Sequence, residues 1–179
     1  MADHITIALA AAVKALTQVV APSVDSRNPL AVEQLRLVAM YLDFLAQQRP
    51  NERRMAWKNL KLQCELSRQC AKLLSDKFPQ IAIQLQTAVA QADQCLQQSI
   101  SPVAEFDRQH AQLSEILSLA IAKVNAEELS LADTLQILVV FHSKQQLLLH
   151  RVWYLSYGFE AHPEQLPCLE EMLAEAPGI

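Results

Sequence analysis

Apolar residues recur at spacings of three and four along almost the whole chain, which is the period of amphipathic helices. Prolines and capping residues divide this pattern into six long segments. The predicted helices run from near Asp3 to Val20, Pro29 to about Arg49, Asn51 to about Lys77, Pro79 to about Gln98, Pro102 to about Val124, and Ser130 to Gly158. A short acidic helix, about Pro167 to Ala174, follows.

Short linkers favour antiparallel neighbours. The pattern therefore predicts an all-α protein, an antiparallel up-and-down bundle of about five to six long helices plus a short C-terminal helix. We expect one domain over residues 1–179. The first helix, residues 1–21, packs either on its own bundle or on a neighbouring molecule.

Two helices carry distinctive patterns. The sixth has apolar residues on many sides, which predicts a central helix enclosed by the others. Its expected start is a capping-box-like Ser130, and Gly158 is expected to end it in the left-handed conformation. The third helix carries a near-heptad stripe, typical of packing at a shallow angle in a bundle. The stripe consists of Trp57, Leu60, Cys64, Ser67, Ala71, Leu74 and Phe78.

The composition agrees with helices, since the hydrophobic fraction is 51% and the chain holds only two glycines. The net charge of -4 gives no reason to expect nucleic acid or a membrane as partner. No apolar run is expected to reach the roughly 18–20 residues that span a bilayer. The N-terminus reads as an amphipathic helix rather than a secretory signal. The four cysteines lack CxxC spacing, which favours reduced thiols and a cytoplasmic location.

Motifs for catalysis are absent from the sequence. It contains no Glu-x-x-His pair, no G-x-S-x-G and no glycine-rich phosphate loop. We therefore expect no metal, no cofactor and no catalytic residue. The sequence disfavours enzymatic activity without excluding it. An enzyme would have to be a bundle that takes its catalytic residues from a partner subunit.

Polar residues at buried-type positions of the fifth and sixth helices suggest a ligand pocket. Counted from the linker between these helices, His110 and His142 fall in neighbouring layers, together with Gln145 and Gln146. One interpretation is a polar pocket for a small ligand. The alternative is a pair of core histidines that hydrogen-bond to nearby side chains.

Charge is concentrated in two stretches of opposite sign. Five basic residues, Arg49, Arg53, Arg54, Lys58 and Lys61, form a candidate surface for an anionic partner, or simply the solvated face of a helix. Residues 159–179 are acidic and contain no Lys or Arg. We hypothesise that this segment docks near the basic stretch, within one chain or across a dimer, with its packing supplied by Leu166, Leu169, Met172 and Leu173. The alternative is an acidic tail that stays in water.

These observations favour a non-enzymatic helical-bundle protein that acts through self-association or protein–protein interaction. A homodimer is expected, because the apolar surface exceeds what one row of neighbouring helices can cover. A small-molecule-binding bundle, with its pocket near His110 and His142, is the alternative.

Overall fold

The computed structural model describes residues 3–98 and 100–176, and these form helices, turns and loops without a strand. The all-α prediction is confirmed. The helices are α1 (His4–Ala15), α2 (Pro29–Gln48), α3 (Glu52–Leu74), α4 (Pro79–Gln97), α5 (Val103–Glu127), α6 (Leu129–Trp153) and α7 (Leu169–Met172). Residues 1, 2 and 177–179, at the outer ends of the predicted first helix and acidic segment, lie outside the described residues.

Capping residues account for several of these boundaries. Asn28 accepts a hydrogen bond from the Ala31 amide at 3.2 Å, and Pro29 opens α2 where its missing N–H costs nothing. Gly158 is left-handed as predicted, with φ 75°. It ends the 3₁₀ turn Leu155–Tyr157, however, because α6 itself already ends at Trp153. The predicted cap at Ser130 is wrong, since α6 begins one residue earlier at Leu129.

The backbone falls into two compact units. The N-terminal unit comprises Met1–Glu52 with Trp153–Leu166, and the bundle unit comprises Arg53–Val152 with Pro167–Ile179. The assignment of the whole chain to one domain stays a prediction.

Besides the short α7, the bundle unit contains four long helices, α3 to α6, that run alternately up and down. Near the start of α3, the Trp57 indole N–H donates to the Leu96 carbonyl at the end of α4, at 3.2 Å. Beyond the end of α3, Lys77 pairs with Glu128, the single residue between α5 and α6, at 3.3 Å. The predicted α3 stripe is buried along its whole length, from Trp57 to Phe78. The antiparallel arrangement predicted from the short linkers is present in this unit.

The most enclosed helix is α3 and not α6, so that prediction was wrong. Eleven residues of α3 are buried, against five in α6. Helix α3 has its apolar residues on one stripe, opposite a charged face, and this stripe packs against other helices of the bundle unit along its whole length. Helix α6 distributes apolar residues around its circumference, but neighbours in the bundle unit cover only part of it. Ile137, Phe141 and Leu147 are left exposed.

The N-terminal unit is a hairpin of α1 and α2 with a small aromatic core. Helix α1 has no buried residue, and only Ala39 and Phe44 are buried in α2. The Phe44 ring lies 5.3 Å from the ring of Tyr154 and 4.9 Å from that of Tyr157, measured between centroids. These contacts hold the segment after α6 against α2. Leu9 and Ala12 of α1, and Leu16 directly after it, are half-buried rather than buried.

Candidate interaction groove and the predicted site residues

An apolar groove of about 510 Å³ lies between α1 and α2. One wall comes from the end of α1 and the π-helical turn Leu16–Val20 that continues it, and the other comes from α2. The apolar lining consists of Val13, Leu16, Ala21, Val24, Val32, Leu35, Ala39 and Met40. Of these only Ala39 is buried, so the groove presents apolar surface to solvent.

Polar side chains border this groove. Arg36 pairs with Glu33 at 2.7 Å, and this hydrogen-bonded ion pair lowers the pKa of the Glu33 carboxyl. Asp43 accepts a hydrogen bond from Gln47 at 2.7 Å and is exposed. An apolar floor with a polar border is the usual anatomy of a protein–protein interface.

The helical run His4–Ser23, which supplies one wall of the groove, is unusually apolar. It is 20 residues long with a mean hydropathy of 1.6, and none of it is buried. The expectation that no run reaches bilayer length is therefore wrong. Among the described residues this is the one helix long and apolar enough to span a membrane, judged by length and composition, a test that signal sequences also pass. Lys14 interrupts the apolar run in the sequence, but one charged residue lowers the mean hydropathy of the helix only slightly.

A second exposed apolar surface lies on α6. Ile137 is 72% exposed, Phe141 58% and Leu147 60%, with Val140 beside them. These four residues recur at helical spacing on the outer side of α6 and are called the α6 stripe below. Lys144, which is also exposed, lies within it. The sequence signal for this stripe was the surplus of apolar positions on α6.

The four residues of the predicted ligand pocket lie in different environments. His142 is 3% exposed, and neither ring nitrogen has a hydrogen-bond partner among the residues the structure describes. Gln145 is exposed and Gln146 is half-buried. His110 is also half-buried, and burial lowers the pKa of its imidazole. The nearby Asp107 carboxylate opposes this shift, and His150 adds to it. The ligand pocket itself stays a prediction.

Gln146 takes part in a polar chain that crosses the bundle unit. Its amide Nε2 donates to Oε1 of Gln63 on α3 at 3.1 Å. The Gln63 amide in turn donates to the Ser114 hydroxyl on α5 at 3.0 Å, and that hydroxyl donates to the His110 carbonyl at 2.9 Å. Gln63 and Ser114 were missed in the sequence. Gln63 directly precedes Cys64 of the α3 stripe, and Ser114 directly follows the buried Leu113 of α5, which is the one signal that pointed to them.

Three residues of the predicted anionic-partner surface contact the acidic C-terminal segment of the same chain. Arg54 pairs with Glu170 at 2.8 Å, while Lys58 and Lys61 both reach Glu175, at 2.9 and 3.0 Å. The two lysines lower the pKa of the Glu175 carboxyl to about 2 through their hydrogen bonds.

The hypothesis that this segment docks near the basic stretch is confirmed for its later part, which carries Glu170 and Glu175, whereas residues 159–166 belong to the N-terminal unit. Of the four residues expected to supply the packing, Leu173 is buried, and Leu166, Leu169 and Met172 are half-buried. The Leu173 side chain is fully buried, and its carbonyl accepts a hydrogen bond from Arg54 at 3.0 Å. Ala176 belongs to the same core cluster as Trp57 and Leu60 of α3.

The other two basic residues also have contacts within their own units. In the N-terminal unit, Arg49 pairs with Asp3 at 3.0 Å and with Glu52. In the bundle unit, Arg53 donates to the Ser101 carbonyl at 3.3 Å and lies over the ring of Phe106. Whether an outside anionic partner binds this stretch stays a prediction.

Within residues 3–98 and 100–176, no group of three or more His, Cys, Asp or Glu side chains lies close enough to hold a metal ion. Cys64, Cys70 and Cys95 are buried free thiols, and Cys168 is an exposed one. Burial raises the pKa of Cys64 and of Cys70 to about 12, so neither is a nucleophilic thiolate at neutral pH. Comparisons with protein-family models, curated proteins and solved structures found no match for this chain.

Proposed function

We propose that this protein is a non-enzymatic association module whose N-terminal hairpin binds an amphipathic helix of a second copy of the chain. The observation that carries the proposal is the apolar groove between α1 and α2, together with an α1 that has no buried residue. Exposed apolar surface of this extent costs free energy in water, and burying it against a partner recovers that free energy.

A second copy fits the groove because the chain itself presents a suitable helix. The α6 stripe offers apolar side chains at helical spacing, which is how amphipathic helices dock into apolar grooves. Lys144 within the stripe is complementary in charge to Asp43 at the groove border. In a two-fold dimer the groove of each copy holds the α6 stripe of the other copy, so both grooves and both stripes are buried.

A protein partner also fits α1 better than a lipid bilayer does. Lys14 lies near the middle of the run His4–Ser23, and a lysine at the centre of a spanning helix costs about 2.5–3.5 kcal/mol. The polar residues that line the groove, Thr17, Arg36 and Asp43, are suited to the rim of a protein interface. A cytoplasmic homodimer is therefore the form we propose.

Sedimentation of the purified chain at micromolar concentration tests this proposal. We expect a dimer, and Phe141→Asp should shift it to monomer by placing a charge within the interface. Leu119→Asp is the matched control, because Leu119 is 65% exposed on α5 and lies outside the stripe. A chain that stays monomeric over the concentration range contradicts self-association. Equal effects of the two variants contradict the assignment of the stripe.

Asp43 and Lys144, which face each other in the proposed dimer, allow a sharper test of how the α6 stripe lies in the groove. Asp43→Lys and Lys144→Asp should each weaken the dimer, and the double variant should recover it. Since an exposed ion pair contributes about 0–1 kcal/mol and a two-fold dimer contains this pair twice, the expected effect on the dissociation constant is at most about thirtyfold. Co-sedimentation with zwitterionic and anionic vesicles tests the alternative that α1 binds a lipid membrane. A monomer that binds vesicles through α1 would replace the dimer proposal with a membrane one.

A specific observation favours a second candidate function, a small-molecule-binding bundle. Buried polar atoms are almost always hydrogen-bonded, yet both ring nitrogens of His142 lack a partner among the described residues. A ligand with a donor and an acceptor would meet this need. Native mass spectrometry separates the two candidates, because it reports the mass of the oligomer and any retained compound together.

A further inference from the structure

Three basic side chains of α3 form one surface of the bundle unit. Arg54, Lys58 and Lys61 follow one another at spacings of four and three residues, which places them on the same side of the helix. They are called the α3 basic surface below. Residues 167–176 of the same chain lie against this surface and are called the resident segment. The surface is therefore occupied by a short stretch of its own chain.

The resident segment contacts this surface as a bound peptide does. Its Leu173 side chain is fully buried, and Arg54 donates to the carbonyl of Leu173 at 3.0 Å and to Glu170 at 2.8 Å. Glu175 follows the leucine by two residues and accepts hydrogen bonds from the two lysines of the surface. These contacts select a leucine with one carboxylate three residues before it and a second anion two residues after it.

Two positive charges converge on a single oxygen at the position of Glu175. The Nζ atoms of Lys58 and Lys61 lie 2.9 and 3.0 Å from the same atom, Oε2 of Glu175. The Lys58 side chain is 16% exposed, so salt and water screen its charge less than that of a fully open lysine. A carboxylate brings one negative charge, whereas a phosphoserine brings roughly two at neutral pH, together with three acceptor oxygens. A phosphate therefore matches the two lysines better than the glutamate does.

Few contacts hold the resident segment, so it is able to detach. Within residues 167–176 only Leu173 and Ala176 are buried, and the one helix is the four-residue α7. Its ion pairs with the α3 basic surface are partly open to water, and such pairs contribute little. Segments with few buried contacts open locally while the rest of the unit stays folded. The α3 basic surface is therefore accessible to a competitor that binds it more strongly.

We propose that the α3 basic surface binds a phosphorylated segment of a partner protein, in which a leucine precedes a phosphoserine by two residues and follows an acidic residue by three. This segment displaces the resident one, in which Glu175 takes the place of the phosphate. The resident segment has the advantage of being tethered to the same chain, and the additional charge at the lysine pair is what the partner sets against it. The proposal does not depend on the association proposed for the groove, because the groove lies in the N-terminal unit.

Three fluorescently labelled peptides of residues 163–179 test the chemistry on the full-length chain in reducing buffer. The first has the natural Glu175, the second has phosphoserine at that position, and the third has unmodified serine. Fluorescence anisotropy should show saturable binding, about tenfold tighter for the phosphoserine peptide than for the natural one and weakest for the serine peptide. High salt should reduce these differences, because they are electrostatic. Equal affinities of the phosphoserine and natural peptides overturn the proposal, and so does a lack of saturable binding.

The substitution Leu173→Ala should act in opposite directions in the chain and in the peptide. In the chain it loosens the resident segment, so the phosphoserine peptide should bind about tenfold more tightly. In the peptide it removes the buried side chain and should weaken binding by at least about tenfold. Glu175→Gln in the chain is a milder second variant at an exposed position and should tighten binding by a few fold. Circular dichroism identifies the folded variants, and a folded chain variant with unchanged or weaker affinity overturns the displacement.

Adding Lys58→Gln to the Leu173→Ala chain tests where the peptide binds. This substitution should weaken binding of the phosphoserine peptide, since the resident segment is already loosened and a lysine of the surface is lost. Lys72→Gln in the same chain is the matched control, because Lys72 is an exposed lysine about four turns further along α3. It should leave the affinity as it is. Equal effects of the two lysine substitutions overturn the assignment of the site to the α3 basic surface.

Discussion

Shortening one side chain, by Leu173→Ala, tests how the acidic C-terminal segment is held in the bundle unit. Leu173 is fully buried, although it lies in a segment with only the four-residue helix α7. Replacing a fully buried leucine by alanine costs about 2–5 kcal/mol, because apolar contacts are lost and a cavity remains. We expect the free energy of unfolding to fall by about that amount, up to the total free energy with which the segment docks.

The ion pairs of the same segment should matter much less. The Arg54 and Lys58 side chains are 18% and 16% exposed, but their partners Glu170 and Glu175 are 68% and 59% exposed. Pairs this open to water contribute about 0–1 kcal/mol each and are screened by salt. Apolar burial of Leu173 therefore dominates, and the charges mainly determine where the segment lies.

Urea unfolding at low and high salt measures both contributions. Leu173→Ala should lower the stability at both salt concentrations, with a melting temperature lower by at least about 4 °C. Amide exchange near Leu173 should accelerate if the segment detaches before the unit unfolds. The control Leu119→Ala, at a 65% exposed position of α5, should change stability by no more than about 0.5 kcal/mol. Equal stability of the two variants, or a loss that disappears at high salt, would show that Leu173 does not anchor the segment.

Two further predictions concern single ionisable groups. Lys58 and Lys61 lower the pKa of Glu175 to about 2. The contribution of Glu175 to folding stability is therefore complete above the ordinary carboxyl pKa and disappears as the pH falls through about 2. The Glu175→Gln variant should melt below the wild type at neutral pH and at the same temperature as the wild type in strong acid. His142→Leu should be neutral or raise the free energy of unfolding by about 1–2 kcal/mol, because it removes two buried nitrogens without partners among the described residues, and clear destabilisation in urea would contradict this.

The sequence by itself determined the helices and the apolar stripe on α3. Helix boundaries follow from local chemistry, such as Asn28 capping α2 and Pro29 opening it. The α3 stripe could be predicted because heptad spacing keeps its residues on one side whatever the neighbours are. The docking of the C-terminal segment could also be inferred, since its acidic residues had one matching basic stretch.

The tertiary structure decided which surfaces are covered and which stay open. Periodicity indicates that a helix has apolar sides but not how many neighbours meet them, so α6 was wrongly expected to be enclosed. The hydrogen bond from Gln63 to Ser114 and the one from Gln48 to the Trp153 carbonyl join residues 51 and 105 positions apart in the chain. The groove likewise arises only where side chains from separate segments come together. Which residues from distant segments come into contact depends on packing, and packing is set by the whole fold rather than by local spacing.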